Sequence, residues 1–168
     1  VSNQAGRSNI LSRLENYGVK IDSKDPKVQK ILDEVKGREF SGYSYDGADA
    51  SFELLANKLL GKLPEYLKVK SYNVNVKKSN EIKTTADVTF LIDGKEIKCS
   101  GSGNGPVNAL DNAIRSNFKR VEKYYKYFSD LKLLDYKVRI LNTGTGATTR
   151  VLIESTDSSG KSWFTIGV

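Results

Sequence analysis

The residues best suited to chemistry stand together at Gly101-Ser102-Gly103-Asn104-Gly105-Pro106. Glycines between a strand-like and a helix-like run permit positive φ or close approach of the backbone to a neighbour. A helix beginning at Pro106 would also offer free N–H groups to an anion such as a carboxylate or phosphate. The turn lacks the Walker lysine–hydroxyl pair, and proline at 106 breaks the GxGxxG dinucleotide fingerprint. Plain strand-to-helix geometry and ligand binding both remain open for it. A second glycine-bearing segment, Asn142 to Thr149 with Gly144 and Gly146, reads as a mobile hairpin loop. Tyr136, beside Leu133 and Leu134, is either a half-buried sheet residue or a side chain closing a pocket near the two glycine turns.

Several chemistries are excluded by what is missing. The chain has no histidine, so it holds no Ser-His-Asp triad, no Cys-His pair and no imidazole acid or base. Its single cysteine, Cys99, rules out an internal disulfide and makes a poor zinc site with scattered carboxylates. Self-contained catalysis is therefore not expected, and a reducing, cytoplasmic setting is. No apolar run approaches a membrane span, and no signal-peptide pattern opens the chain. The first residue is Val1 and there is no methionine, which suggests an internal piece of a longer protein.

A charge of +7, from 27 Lys and Arg against 20 Asp and Glu, raises the question of nucleic acid. Helix–βββ–helix is the element order of a double-stranded-RNA-binding domain, which grips phosphates with lysines at the start of its last helix. The corresponding stretch here is Pro106-Val107-Asn108-Ala109-Leu110-Asp111, without a lysine and with an acid. Lys119, Arg120, Lys123 and Lys126 fall at the other end, where they suit the helix dipole. That distribution argues against a nucleic-acid partner.

The elements that must position these residues follow from period and punctuation. Ser8 or Asn9 caps a short helix ending at Gly18; Asp25-Pro26 starts a second that reaches Gly37; and a third begins near Asp46 or Asp49 and ends near Gly61. From Leu67 the period becomes two. Strands are expected at about 67–76, 84–92 and 96–100, with a hairpin at Asp93-Gly94, then one long helix from Pro106 to Phe128. Three more strands, Lys132 to Leu141, Thr148 to Ser155 and Ser162 to Val168, complete an α+β order of βββα followed by βββ. The second half repeats the first without its helix. Part of a sheet is left uncovered, so either a final helix beyond Val168 or a partner chain must cover it, and self-association is expected.

At GNGPVNALDNAI, LLDYKVRIL, TGATTRVLIES and WFTIGV the chain resembles the C-terminal region of the 2-isopropylmalate synthase and citramalate synthase family. The segments occur in the family's order and span essentially the whole chain, and AGRSNI with GYSYDGADASFELL looks most like the citramalate synthase branch. The resemblance implies helical linker subdomains at about 1–63 and a dimerising regulatory domain at about 64–168, truncated at its last helix. In that family a separate (β/α)₈ barrel condenses acetyl-CoA with a 2-keto acid using a divalent metal. That barrel is absent here, so no cofactor is expected in this chain. The regulatory domain binds the pathway's end product as feedback inhibitor, here isoleucine or alternatively leucine. Carried over residue by residue, the inhibitor site is Gly103, Asn104, Gly105, Pro106 and Val107, with Leu133, Tyr136, Ile140, Gly146, Thr148 and Val168. Isopropylmalate synthases carry an HSGR segment serving the barrel's active site. Here Gln4 stands in the histidine's place, which favours the citramalate branch, while Arg7 is kept, either to contact the barrel or to cap the first helix.

Overall fold

Asp25 and Pro26 fix where the second helix starts. The Asp25 carboxylate accepts a hydrogen bond from the Lys27 N–H at 2.8 Å, and proline takes the first helical position, where a missing N–H costs nothing. The computed structural model describes residues 3–118 and 121–168, with side chains from 6 to 116 and from 121 onward. Lys119, Arg120 and the Gln4 side chain therefore lie outside the described residues. Within them are five helices and two three-stranded antiparallel sheets. The order is α1 (Asn3–Asn16), α2 (Pro26–Phe40), α3 (Asp49–Leu59), β1 (Lys68–Lys78), β2 (Ile82–Ile92), β3 (Lys95–Gly103), α4 (Pro106–Phe118), α5 (Glu122–Asp130), β4 (Lys132–Ile140), β5 (Thr149–Thr156) and β6 (Ser162–Gly167). The expected α+β class and the βββα–βββ order both stand.

Three helix boundaries differ from expectation. α1 begins at Asn3, ahead of the Ser8 and Asn9 caps. α2 runs through Gly37 to Phe40. A glycine inside a helix costs only ~1 kcal/mol, and packing of Val28, Ile31, Leu32 and Val35 overrides it. The stop is Gly42 at φ +103°, where the Tyr43 N–H reaches the Arg38 carbonyl and the Gly42 N–H reaches that of Glu39. The long helix expected from Pro106 to Phe128 is two helices, because Val121 leaves helical geometry at φ −111°, ψ 73°. Arg115 fastens the second piece to the first: its guanidinium donates to the carbonyls of Phe128 at 2.7 Å and Leu131 at 2.9 Å.

The chain forms two compact units, one of residues 65–131 and one joining 1–64 with 132–168. In the first, Thr84, Ala86, Val88, Phe90 and Ile92 of β2 and Cys99 of β3 are buried on one face with Ala109, Ala113 and Tyr124. α4 lies over β3 and β2 and scarcely reaches β1, so Tyr72 and Val76 on that face stay exposed. In the second unit Ile10, Leu14, Val28, Ile31, Phe52 and Leu55 form the helical core, each such burial stabilising by ~1.5–3 kcal/mol. Arg13 closes its edge, standing 4.0 Å over the Phe52 ring and donating to the Tyr45 carbonyl and the Asp49 carboxylate. Arg7 ties α1 to the loop before α2 through the carbonyls of Ser23 and Asp25 and the Gln29 amide.

The two sheets repeat one another in register. β1 shifts against β2 between Val69 and Ser71, and β4 shifts against β5 between Leu133 and Asp135. Counted from those bulges, Tyr72 corresponds to Tyr136, Val76 to Ile140, Thr84 to Thr149 and Gly101 to Gly167.

Candidate functional site

The turn Gly103 to Val107 is built by the way α4 is laid on β3. A Cβ on Gly101 would stand 2.7 Å from Ala113 Cα and 2.8 Å from the Asn112 carbonyl carbon, and one on Gly103 would stand 2.6 Å from Ala109 N. These glycines let the helix backbone approach the strand. Two asparagines one helical turn apart then fasten the corner. Asn112 Nδ2 donates to the Ser102 carbonyl at 2.9 Å, and Asn108 Oδ1 accepts from the Asn104 N–H at 3.2 Å. Sequence reading passed over this pair, although their i, i+4 spacing beside a glycine turn was visible.

Gly105 differs from its neighbours. Its carbonyl accepts the first bond of α4, from Ala109 N–H at 2.9 Å, yet nothing stands within 4 Å of where its Cβ would be, and its φ is not in the left-handed region. Neither packing nor conformation explains a glycine there. The Val107 and Asn108 N–H groups, orphaned at the helix start, donate no hydrogen bond among the described residues. Beneath the turn, Thr84 pairs with Gly103 in the register and is 1% exposed, and its Oγ1 has no partner. Sequence reading gave no signal for it.

The remaining candidate residues belong to the other unit. The bulge on β4 puts Leu133, Tyr136 and Ile140 on one face, because their partners Ser155, Ile153 and Thr149 alternate regularly along β5. All three are exposed, Ile140 at 64%, and with Val138 they form an apolar strip on an edge strand exposed along its whole length. Gly146 sits in the β4–β5 connection with open space around it. Thr148 donates its N–H to Asn142 Oδ1 at 2.6 Å and lines an open groove of about 410 Å³ with Phe40, Gly42, Leu141 and Arg150. Val168 lies beside Gly42, which lines that groove: a Cβ on Gly42 would meet its Cγ1 at 3.5 Å and would collide with Leu141. Thus Gly103 to Val107 form one turn, Leu133, Tyr136 and Ile140 one strip, and Thr148 and Val168 a third locus near the end of α2.

Chemically, the turn offers unpaired main-chain donors, and the strip offers branched aliphatic and aromatic surface. Among the described residues no three His, Cys, Asp or Glu side chains gather to hold a metal ion. Lys123 pairs with Asp93 at 3.8 Å and lies over the Tyr124 ring. No helix among the described residues is long and apolar enough to cross a membrane.

Residues 46–168 match the family model described as LeuA allosteric (dimerisation) domain. The chain is 44% identical over 173 residues to an (R)-citramalate synthase of Geobacter sulfurreducens, covering 100% of this chain and 32% of that protein. It is 41% identical to the (R)-citramalate synthase of Aquifex aeolicus with the same coverage, and 37% identical to that of Sulfolobus acidocaldarius, covering 100% of this chain and 30% of the relative. The chain thus spans about a third of the length of these relatives.

Proposed function

From the premise that this chain belongs to the LeuA allosteric (dimerisation) domain family, as a regulatory domain of citramalate synthase-like proteins, we propose that it binds isoleucine and reports that binding to a condensing barrel outside it. The open Val107 and Asn108 amides at the start of α4 suit the amino acid's carboxylate; in the other unit, the strip of Leu133, Tyr136 and Ile140 offers apolar surface to a branched side chain or to a partner copy. The observation that carries the reading is Gly105: a glycine that neither packing nor φ requires leaves main-chain donors approachable.

Condensation of a 2-keto acid with acetyl-CoA, and the divalent metal it uses, belong on this reading to the barrel. The chain's own task is discrimination and coupling. A bound ligand shifts the assembly only by its differential affinity for two arrangements, and ~1–3 kcal/mol suffices for useful feedback. Assembly into a homodimer covers apolar strand surface that a single copy leaves bare, Tyr72 and Val76 on β1 and the strip on β4.

Titration calorimetry with isoleucine, leucine and valine tests the reading. Heat is expected with isoleucine, and about tenfold weaker binding after Gly105→Ala, worth ~1.4 kcal/mol. Leucine binding tighter than isoleucine would reassign the ligand. No heat from any of the three at millimolar concentration would overturn it.

A further inference from the structure

Asn104-Gly105 is the one Asn-Gly pair in the chain. In such a pair the glycine backbone nitrogen can attack the asparagine side-chain carbonyl carbon, because glycine brings no side chain to obstruct ring closure. A bond forms between Gly105 N and Asn104 Cγ, and the Cγ–Nδ2 bond breaks. The Gly105 amide proton leaves with the side-chain nitrogen as ammonia. Water then opens the cyclic imide at either carbonyl, giving aspartate or isoaspartate, with nothing oxidised or reduced.

Local structure decides whether the ring can close, since an amide locked in a ladder cannot turn to attack. Here both reacting groups are loose. Asn104 is exposed and lies between β3 and α4, outside both. Among the described residues its carboxamide makes no hydrogen bond, and neither does the Gly105 N–H. The bond that Asn104 does make is from its own backbone N–H to Asn108 Oδ1, which leaves the carboxamide free to rotate. Apart from its chain neighbours, nothing stands within 4 Å of where a Cβ on Gly105 would be, so no other segment crowds that side of the pair.

We propose that Asn104-Gly105 is a site of spontaneous deamidation, and that the acid it creates weakens carboxylate binding at the α4 turn; this second half rests on the function proposed above. The new charge sits one residue ahead of Gly105, whose carbonyl begins the helix, so it lies at the end where a helix favours an anion. It would hold the open amides against a second carboxylate and repel it.

The test compares fresh chain with chain held at mildly alkaline pH, by peptide mapping and mass spectrometry. Expected is the mass gain of an amide-to-acid exchange confined to the peptide containing Asn104, in two separable products, and lost in Gly105→Ala. If a free peptide of residues 100–110 converts while the folded chain does not, the modification is overturned. For the consequence, Asn104→Asp should bind isoleucine about two- to fivefold more weakly than the unmodified chain. Equal affinity would overturn that half. Absence of binding by the fresh chain would instead remove the proposed function, and with it the affinity effect, while the map still decides the modification.

Discussion

Alanine placed at Gly101 and at Gly105 should separate packing from binding within one turn. At Gly101 the added Cβ falls 2.7 Å from Ala113 Cα and 2.8 Å from the Asn112 carbonyl carbon, against the ~3.5–4.0 Å at which carbon atoms rest. Both obstacles are helix backbone, which cannot rotate aside, so α4 must retreat by about 1 Å and forfeit a quarter to a half of each contact it makes with the sheet. Overpacking of this kind costs ~1–3 kcal/mol, and here the upper end applies because Ala109 and Ala113 are fully buried against the strand. At Gly105 the same methyl meets nothing within 4 Å, and stability should change by less than ~1 kcal/mol. Urea unfolding with linear extrapolation reads both values. Isoleucine calorimetry should then show Gly105→Ala binding about tenfold more weakly, since the methyl stands where a carboxylate would approach the amides. Wild-type stability in Gly101→Ala would refute the close approach of helix to strand. Wild-type affinity in Gly105→Ala would refute the role given to the open corner.

Thr84→Val should raise stability by ~1 kcal/mol, because it removes a buried hydroxyl without a partner and keeps the shape; a lower midpoint in thermal unfolding would contradict this. Arg115→Ala should destabilise by ~2 kcal/mol and release α5 first, seen as faster amide exchange over 122–130, because the carbonyls of Phe128 and Leu131 lose charged donors. Burial pushes the Tyr45 phenol up, outweighing Arg38, which pulls it down. Its contribution is therefore complete below the unfolded value of ~10 and is lost as pH rises through the higher folded value, so melting temperature should fall above pH ~10, and less in Tyr45→Phe. An unchanged alkaline limb in that variant would assign the fall to another group.

Most elements were legible because the strands read at period two apart from the bulges in β1 and β4, with turn residues between them. Asp93-Gly94 turns with φ +48° and +77°, as that dipeptide favours. Val121 was not legible as a break, for it continues the apolar spacing of α4; the break lies in its non-helical φ and ψ, with Arg115 reaching the carbonyls at the end of α5. The candidate residues can be named from the sequence as short stretches, but their grouping cannot. Strict alternation from Leu133 puts Asp135 beside it and Tyr136 on the opposite face. The register shift reverses this and brings Leu133, Tyr136 and Ile140 onto one side. Nor can a sequence distinguish Gly101 from Gly105, since whether a glycine accommodates a helix or leaves space open depends on contacts between distant segments.

The repeated register also says why sensing and assembly should be linked. Tyr72 and Val76 on β1 hold the positions of Tyr136 and Ile140 on β4, and all four are exposed. Gly101 has α4 backbone against it, while its counterpart Gly167 has nothing within 4 Å. Each sheet therefore presents an apolar edge strand that its own unit leaves bare, and bare strips of that kind are what a dimer covers. On the proposed reading, a ligand that touches Leu133, Tyr136 and Ile140 takes part of the strip offered to association, and its binding then alters the free energy of assembly. By linkage the effect is mutual: if isoleucine shifts the dimer constant by a given factor, dimerisation shifts isoleucine affinity by the same factor. Sedimentation across a concentration series, with and without saturating isoleucine, should show a five- to 150-fold displacement for a coupling of ~1–3 kcal/mol. A dimer constant untouched by a ligand that demonstrably binds would mean that the bare strip serves assembly alone and that the ligand is held elsewhere.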